Sequence, residues 1–453
     1  MTGLPAGYTC NSNSAGKSTL LTTLTGDQGI KDNMESNRGN KGRVSSTTIL
    51  REGDRIEVSI ERILPGGFGL AHFEGATVFV YLAAPGDRLA VLVEKMRGTV
   101  TWARIEEILE PSPLRIEPPC PYFGRCGGCD LQQLSYPTQL ETKLDIVRDC
   151  LRRITKIEIP SSLRIIGSPL EWGYRSRAMW QRDRDNDLLG YYERGSHNVC
   201  DVANCAVLTQ PMQRSLEKVR TVVQEKRLAQ DVREILAVEG DDGVGIVPPL
   251  NEGESLETKK TIGQFTYSFS AGGFFQINQL LLPALIDEVI APLEGRNALD
   301  LYCGVGLFSL PLAAKFEKVI GIESNHEAIG YARRNAENAG YENVEFESEM
   351  VGRWFERNNH VDRRIDAVLL DPPRVGAEKA TMRGIVALKP KKICYVSCDP
   401  ATLARDLKPL LENGYNIDSI SAFDMFPQTH HIETVTHLSI GSVGKNNGER
   451  RSS

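Results

Sequence analysis

The sequence predicts an α/β protein: an open, Rossmann-like parallel sheet preceded by a small β-barrel and a strand-rich middle region. Three observations carry this expectation. In the second half, short apolar, β-branched runs each stop at a turn: Asn297–Leu301 before Tyr302-Cys303-Gly304-Val305-Gly306, Lys318–Glu323 at a carboxylate, Asp366–Leu370 before Asp371-Pro372-Pro373, and Lys392–Ser397 before Cys398-Asp399-Pro400. Residues 51–109 read instead as short alternating strands with Gly-rich turns. A chain of 453 residues is also long enough for about three domains, each with its own core.

Taken in order, residues 1–50 are rich in Ser, Thr, Gly and Asn. Asn11-Ser12-Asn13-Ser14-Ala15-Gly16-Lys17-Ser18-Thr19 imitates a phosphate-binding P-loop, but Asn11 stands where the first glycine belongs and no apolar strand precedes it. The segment reads as a flexible or misannotated extension. Barrel strands are expected at Asp54–Leu64, Gly69–Phe73, Ala76–Leu82, Asp87–Lys95 and Gly98–Leu109. A cysteine loop follows, then an amphipathic helix from about Pro137 to Arg153 that is expected either in a central domain of residues 110–269 or packed on the sheet domain of residues 270–442. Residues 443–453 read as a disordered tail.

Ten cysteines are present. Cys120, Cys126 and Cys129 lie in Cys120-Pro121-Tyr122-Phe123-Gly124-Arg125-Cys126-Gly127-Gly128-Cys129, where Gly and Pro supply turns that aim thiolates at one point; this predicts a metal site. Four thiolates suit zinc or an iron–sulfur cluster, and the two Cys-x2-Cys pairs of a zinc ribbon are not present. No signal peptide or run of 18 apolar residues appears, so the expected compartment is the reducing cytoplasm, without a membrane partner.

The carboxyl edge of the predicted sheet is where ligands bind in open α/β folds. Gly304 and Gly306 let a ligand approach the backbone, and Glu323 follows about 20 residues later, the spacing at which an acid accepts ribose hydroxyls. A dinucleotide site wants a third small residue where Ser309 stands, and nothing cradles a pyrophosphate. S-adenosylmethionine (SAM), which has no phosphate, fits better. Asp371 is held between an apolar strand and a rigid Pro-Pro turn at the same edge, as a binding group. An aromatic after Asp-Pro-Pro would suggest methylation of an amino group; Arg374 follows instead, and Cys398 supplies a thiol. Alone, such a cysteine reads as core; beside a co-substrate site it is a candidate nucleophile.

With these residues in view, the sequence resembles the RNA uracil-C5 methyltransferases. The resemblance rests on Gly273-Phe274-Phe275-Gln276-Ile277-Asn278, Asp300-Leu301-Tyr302-Cys303-Gly304-Val305-Gly306, Asp371-Pro372-Pro373-Arg374, Ser397-Cys398-Asp399-Pro400 and the stretch from Asp424 through His430, His431 and Glu433 to Val435. It implies that Gln276, Tyr302, Gly304, Gly306, Glu323 and Asp371 line the SAM and uracil pocket, that Cys398 is the nucleophile and that Glu433 is the proton acceptor. It implies that residues 51–109 form a TRAM domain, an OB-like RNA-binding barrel. It also implies that Cys205 completes a 4Fe–4S site with Cys120, Cys126 and Cys129, with Cys200 the rival fourth ligand. The implied substrate is 23S ribosomal RNA, with transfer RNA the alternative, and the implied protein a monomer that does not act on DNA.

That chemistry needs these residue types. Uracil C5 is a poor nucleophile until a thiolate adds to C6, and the C5 hydrogen must then be removed by a base before the thiol leaves. The base must also be unstacked, so flipping into the pocket is expected. Bulk charge lends no support: the formal net charge is −6 and the pI near 5.8. Local candidates for an RNA surface are Arg148, Arg152, Arg153 and Lys156, and Tyr174, Arg175 and Arg177 with Trp180, Arg182 and Arg184. Two readings of other classes compete: an NTPase acting through Lys17, and an iron–sulfur protein that binds RNA without methylating it.

Overall fold

The computed structural model describes residues 50–156, 163–358 and 364–441. The P-loop-like stretch, Cys10 and the tail lie outside them.

The first layer is a six-stranded barrel sheet of β1 (Arg55–Ser59), β2 (Arg62–Ile63), β3 (Phe68–Phe73), β4 (Ala76–Tyr81), β5 (Arg88–Arg97) and β6 (Val100–Glu110), ordered β1-β5-β6-β4-β3-β2. Its two edge strands are consecutive in the chain, and Glu61 N–H donates to Leu70 O at 2.8 Å where one passes into the other, so the sheet rolls closed. Alternation works as the sequence suggests: Ile56 and Val58 point inward against Val78, Val80, Leu89 and Val91. Buried Asp87 ties the barrel to the chain that follows, accepting from Ala84 N (2.6 Å), Ser112 N (2.9 Å) and the Arg115 guanidinium (2.5 Å).

Helix α1 (Tyr136–Thr155) runs slightly longer than expected at both ends, and strand β7 (Arg164–Ile166) follows. The strand-rich middle holds β8 (Arg177–Asp183), β9 (Leu188–Tyr192), β10 (Val199–Asp201), β11 (Glu234–Gly240) and β12 (Gly243–Val247), an antiparallel sheet ordered β10-β9-β8-β11-β12. Helix α2 (Gln210–Gln224) packs Met212, Leu216 and Val219 onto it against Trp180 and Ile235. A hairpin of β13 (Glu257–Ile262) and β14 (Phe265–Ser270) leads to α3 (Leu282–Ile290).

The last sheet has eight strands. In chain order its elements are β15 (Asn297–Leu301), α4 (Ser309–Ala313), β16 (Lys318–Glu323), α5 (His326–Asn338), β17 (Val344–Ser348), α6 (Val351–Arg357), β18 (Ala367–Leu370), α7 (Lys379–Leu388), β19 (Lys392–Ser397), α8 (Pro400–Glu412), β20 (Tyr415–Phe423) and β21 (Glu433–Ile440). The strand order is β17-β16-β15-β18-β19-β21-β20-β7. Strands β17 to β19 are parallel; β21 runs antiparallel between β19 and β20. β15 pairs with β16 on one side and β18 on the other, which makes its carboxyl end the switch point of the sheet.

Apolar helices cover both faces. Leu285, Leu310 and Ile329 of α3, α4 and α5 pack on one side. Leu144 and Val147 of α1 join Trp354, Ile385 and Leu403 on the other. Thus α1 and β7, which precede the middle region in sequence, lie with the carboxyl-terminal sheet. No helix among the described residues is long and apolar enough to cross a membrane.

A buried ion pair locks α1 to the chain entering β21: Lys143 Nζ lies 2.5 Å from Asp424 Oδ1, both side chains fully buried, and also donates to Phe426 O at 3.1 Å. Breaking such a pair from one side strands a charge in the core. Lys143→Met is expected to lose about 3–5 kcal/mol of stability in urea unfolding, and Lys143→Met combined with Asp424→Leu to recover most of it.

Candidate active site and cysteine cavity

The turn after β15 places three residues in the left-handed region within five positions: Tyr302 (φ +63°), Gly304 (φ +54°) and Gly306 (φ +88°). A Cβ on Gly304 would meet nothing within 4 Å, leaving open space beside the turn, whereas one on Gly306 would press to 3.2 Å from Leu310. Tyr302 carries its strained backbone without that excuse, and its hydroxyl is held by Glu378 and by Thr381 at 3.3 Å. Glu323 ends β16, where its carboxylate accepts from Asn325 N at 2.7 Å and Ser324 Oγ at 3.1 Å.

Asp371 stands after β18 at the same edge. Burial pushes its carboxyl up to about 7. Asp300, at the end of β15 and hydrogen-bonded by Ser309 Oγ, is also pushed up to about 7 by burial, with Asp371 and Glu323 acting in the same direction and Ser309 against them. Sequence reasoning missed Asp300 as a site residue, although it opens the quoted glycine motif. Acids gathered at this edge favour a ligand with positive charge, and SAM carries a sulfonium and an ammonium.

Cys398 follows β19 directly, half-buried, one residue before Asp399 caps α8 by accepting from Ala401 N (2.9 Å) and Thr402 N (2.8 Å). Glu433 opens β21 and is buried. Because β21 is antiparallel to β19 with Thr434 opposite Ser397, its first residue falls on the edge where the parallel strands end. Burial, with Glu433 and Asp371 in the same direction and Arg374 against them, pushes the Cys398 thiol up to about 12. Burial, then Asp371, likewise holds Glu433 well above the usual carboxylate range, against Arg374. Burial thus favours the protonated thiol of Cys398 and the neutral form of Glu433.

Cys398, Glu433 and Asp371 thus lie at one edge, at the ends of the neighbouring strands β19, β21 and β18, with Arg374 in the turn after Asp371 and with Asp300 and Glu323 on β15 and β16. Gln276 is buried in the segment Phe275–Asn278, which is anchored by Phe275 stacked on Phe269 (4.2 Å) and by Asn278 Nδ2 donating to Ser168 Oγ (3.0 Å). Among the described residues no hydrogen bond joins Gln276 to the acids. Phe274, next to it, is 67% exposed with the Arg177 guanidinium 6.0 Å from its ring centroid.

Cys120, Cys126, Cys129 and Cys205 line one cavity, together with Tyr122, Arg175 and Tyr191. Cys200 does not line it: on β10 it is fully buried and accepts from Arg125 Nε at 3.3 Å. Among the described residues no three Cys, His, Asp or Glu side chains converge on a single ion. Burial holds Cys126 up to about 11 and Cys129 up to about 12, so a metal must displace their protons. Arg175, with no carboxylate ion pair among the described residues, donates to Arg177 O at 3.0 Å and sits in the field of Cys205 and Cys129; an anionic centre suits it.

Part of the expected RNA surface is corrected. Tyr174 and Trp180 are core residues: the Tyr174 hydroxyl donates to Pro427 O at 2.9 Å and Trp180 Nε1 to Tyr191 at 3.3 Å. Arg182 is buried too and donates to Ala229 O. Trp180 and Arg182 share the inward face of β8 and Tyr174 is buried before that strand begins, so none of the three is placed to stack on bases. On α1, Arg148 is engaged by Glu141 and Asp145, and Arg153 by Asp149. Arg152, Lys156 and Arg184 are exposed.

The solved structure of Pyrococcus abyssi tRNA (uracil-54, C5)-methyltransferase, in complex with S-adenosyl-L-homocysteine, superposes with a TM-score of 0.65 at 27% identity, covering 84% of this chain and all of that one. The fold and its edge site are those of a SAM-dependent methyltransferase. A profile for tRNA (Uracil-5-)-methyltransferases matches residues 253–440, and one for the TRAM domain matches residues 50–105. An uncharacterized RNA methyltransferase of Halalkalibacterium halodurans is 32% identical over 86% of this chain and 98% of its own length. The 23S rRNA (uracil(1939)-C(5))-methyltransferase of Shewanella amazonensis is 32% identical over 84% and 94%. The chain belongs to the RNA uracil-C5 methyltransferase family, and its barrel is a TRAM domain.

If the cavity holds the metal, Cys126→Ala is expected to abolish binding. Protein purified without oxygen should contain about four irons and absorb broadly in the visible, as thiolate-bound iron clusters do. Stoichiometric zinc in a colourless preparation would refute the iron–sulfur assignment. Retained metal in Cys205→Ala but not in Cys200→Ala would move the fourth ligand.

Proposed function

We propose that this enzyme methylates C5 of a uridine in 23S ribosomal RNA, with Cys398 as nucleophile and Glu433 as base. The observation that carries the reading is the meeting of a thiol and a buried carboxylate at the carboxyl edge of a methyltransferase sheet. SAM supplies an electrophilic methyl group at that edge, beside the turn Tyr302–Gly306, with Glu323 available to the ribose and Asp371 and Gln276 to the polar groups of cofactor and base. Cys398 loses its proton to solvent and its thiolate forms a bond to C6, driving the C5–C6 electron pair toward O4. C5 then attacks the methyl carbon, and the electron pair of the broken sulfur–methyl bond stays on the departing neutral thioether. Glu433 removes the remaining C5 proton, and the electrons of that C–H bond restore the C5–C6 double bond as the Cys398 thiolate leaves. Exposed Phe274 beneath Arg177 offers a stacking surface for a splayed base.

The ribosomal target draws on the likeness to the Shewanella enzyme; the transfer-RNA reading draws on the Pyrococcus structure. Mass spectrometry of 5-methyluridine in both RNAs, from cells lacking this protein, separates them. The cysteine cavity is read as a 4Fe–4S site on the resemblance of the cysteine loop, and the lining of one cavity by Cys120, Cys126, Cys129 and Cys205 supports that reading. A reducing cytoplasmic setting and a monomeric state belong to the same reading.

Cys398→Ser is expected to abolish methylation while SAM affinity stays within about twofold, since the side chain attacks the base and does not hold the cofactor. RNA containing 5-fluorouridine should trap the wild-type chain covalently, because fluorine cannot leave as a proton; near-normal turnover by the serine variant would sink the assignment. Glu433→Gln should accumulate a methylated covalent RNA adduct that runs slowly on a denaturing gel, and full activity would count against its role as base.

A further inference from the structure

His430 and His431 stand in the motif that carries Glu433, yet neither has a step in the reaction above. His430 Nδ1 donates to Asp130 Oδ2 at 2.6 Å, across 300 residues of chain. Asp130 is the neighbour of the cavity residue Cys129, and its other oxygen accepts from Arg194 at 2.9 Å, while Arg194 also donates to Cys129 O at 2.6 Å. The His430 and His431 rings lie 4.0 Å apart. His431 Nε2 then lies 3.3 Å from an Arg374 guanidinium nitrogen, and the Arg374 charge opposes the effects that hold Cys398 and Glu433 protonated.

The orientation of each contact is defined. A guanidinium only donates, so His431 Nε2 must be the bare nitrogen of a neutral ring. Burial, reinforced by His430 and Arg374, depresses His431 to about 2, which keeps it neutral.

These histidines are not needed to hold the loop. Gln428 O already accepts from Asp130 N (2.9 Å) and Leu131 N (3.1 Å). Gln139 and Gln428 bond reciprocally at 2.9 and 3.0 Å, and Tyr174 and Lys143 bind the carbonyls of Pro427 and Phe426. Asp130 Oδ2 also accepts from His430 N at 3.4 Å, but the other bonds hold the backbone without it, and the His430 and His431 rings bear on where the Arg374 guanidinium points.

We propose that Asp130, His430 and His431 form a positioning relay that runs from the cysteine cavity to Arg374 and aims its charge at Cys398 and Glu433. The relay rests on the reading of Cys398 as nucleophile, and it makes the cysteine region a determinant of the addition step. In this relay all three residues act through Arg374.

The test is the rate of covalent adduct formation between the full chain and 5-fluorouridine RNA. His430→Ala and Asp130→Asn are each expected to slow it about tenfold, and the double variant to be no slower than the worse single one, because links of one chain are not additive. Affinities for RNA and SAM should stay within about twofold. His430→Gln, which can still donate to Asp130, should restore most of the rate. Metal content is measured alongside; if Asp130→Asn alone loses metal, the two His430 variants decide. Rates within twofold of the parent, single effects that multiply in the double variant, or a parallel loss of melting temperature without rescue by glutamine would overturn the relay. No adduct from the wild type would sink the reading of Cys398 and the relay with it; an adduct that forms equally fast in all variants would sink the relay alone.

Discussion

The antiparallel insertion of β21 between β19 and β20 is the constraint on which the site depends. Parallel strands deliver only their carboxyl ends to the ligand edge, and with them Tyr302, Glu323, Asp371 and Cys398. An additional acid beside Cys398 must come from a strand running the other way. The register Ser397 opposite Thr434 sets Glu433 next to the thiol, and Thr434 Oγ1 reinforces it by donating to Ser397 O at 2.9 Å. A slip of one residue would turn Glu433 to the other face of the sheet.

Burial then does the electrostatic work. Asp300, Asp371 and Glu433 are all held toward their neutral forms by loss of water, Asp300 and Glu433 also by Asp371, and burial likewise favours the protonated Cys398 thiol. A cation entering such a site favours the charged forms of these groups. Arg374 is the protein's own contribution, and a sulfonium would add to it. A positive charge bound at this edge and the protonation of Cys398 are therefore linked.

The elements before the sheet act on it through the segment Asp424–Ile432. Helix α1 supplies Lys143 and Gln139, the cysteine loop supplies Asp130 and Leu131, and the middle region supplies Tyr174. Each grips a different atom of one loop, and that loop leads directly into Glu433. The barrel approaches here too: at Gly67 a Cβ would come within 3.0 Å of Asp130 and 3.4 Å of His430. The amino-terminal half thus shapes the chemistry of the carboxyl-terminal half.

Local patterns were legible. Apolar runs ending at Gly, Pro or Asp announce strand ends by backbone chemistry alone, so the edge positions of Gly304, Glu323, Asp371 and Cys398 could be read without coordinates. Period-2 alternation announced the barrel, although the expected strand Asp54–Leu64 divides at Ile60–Glu61, where the chain turns to close the sheet. Mixed cations and aromatics on β8 and just before it suggested an RNA surface, but Tyr174 and Trp180 are core, because composition does not say which side chains face solvent. The sequence by itself determined the strand–turn units, the sheet class and the residue types available for covalent chemistry. Only the tertiary structure decided that Cys205 and not Cys200 faces the cavity, that Asp130 meets His430 and that Glu433 stands beside Cys398, because each depends on pairing between distant segments that local propensity cannot encode.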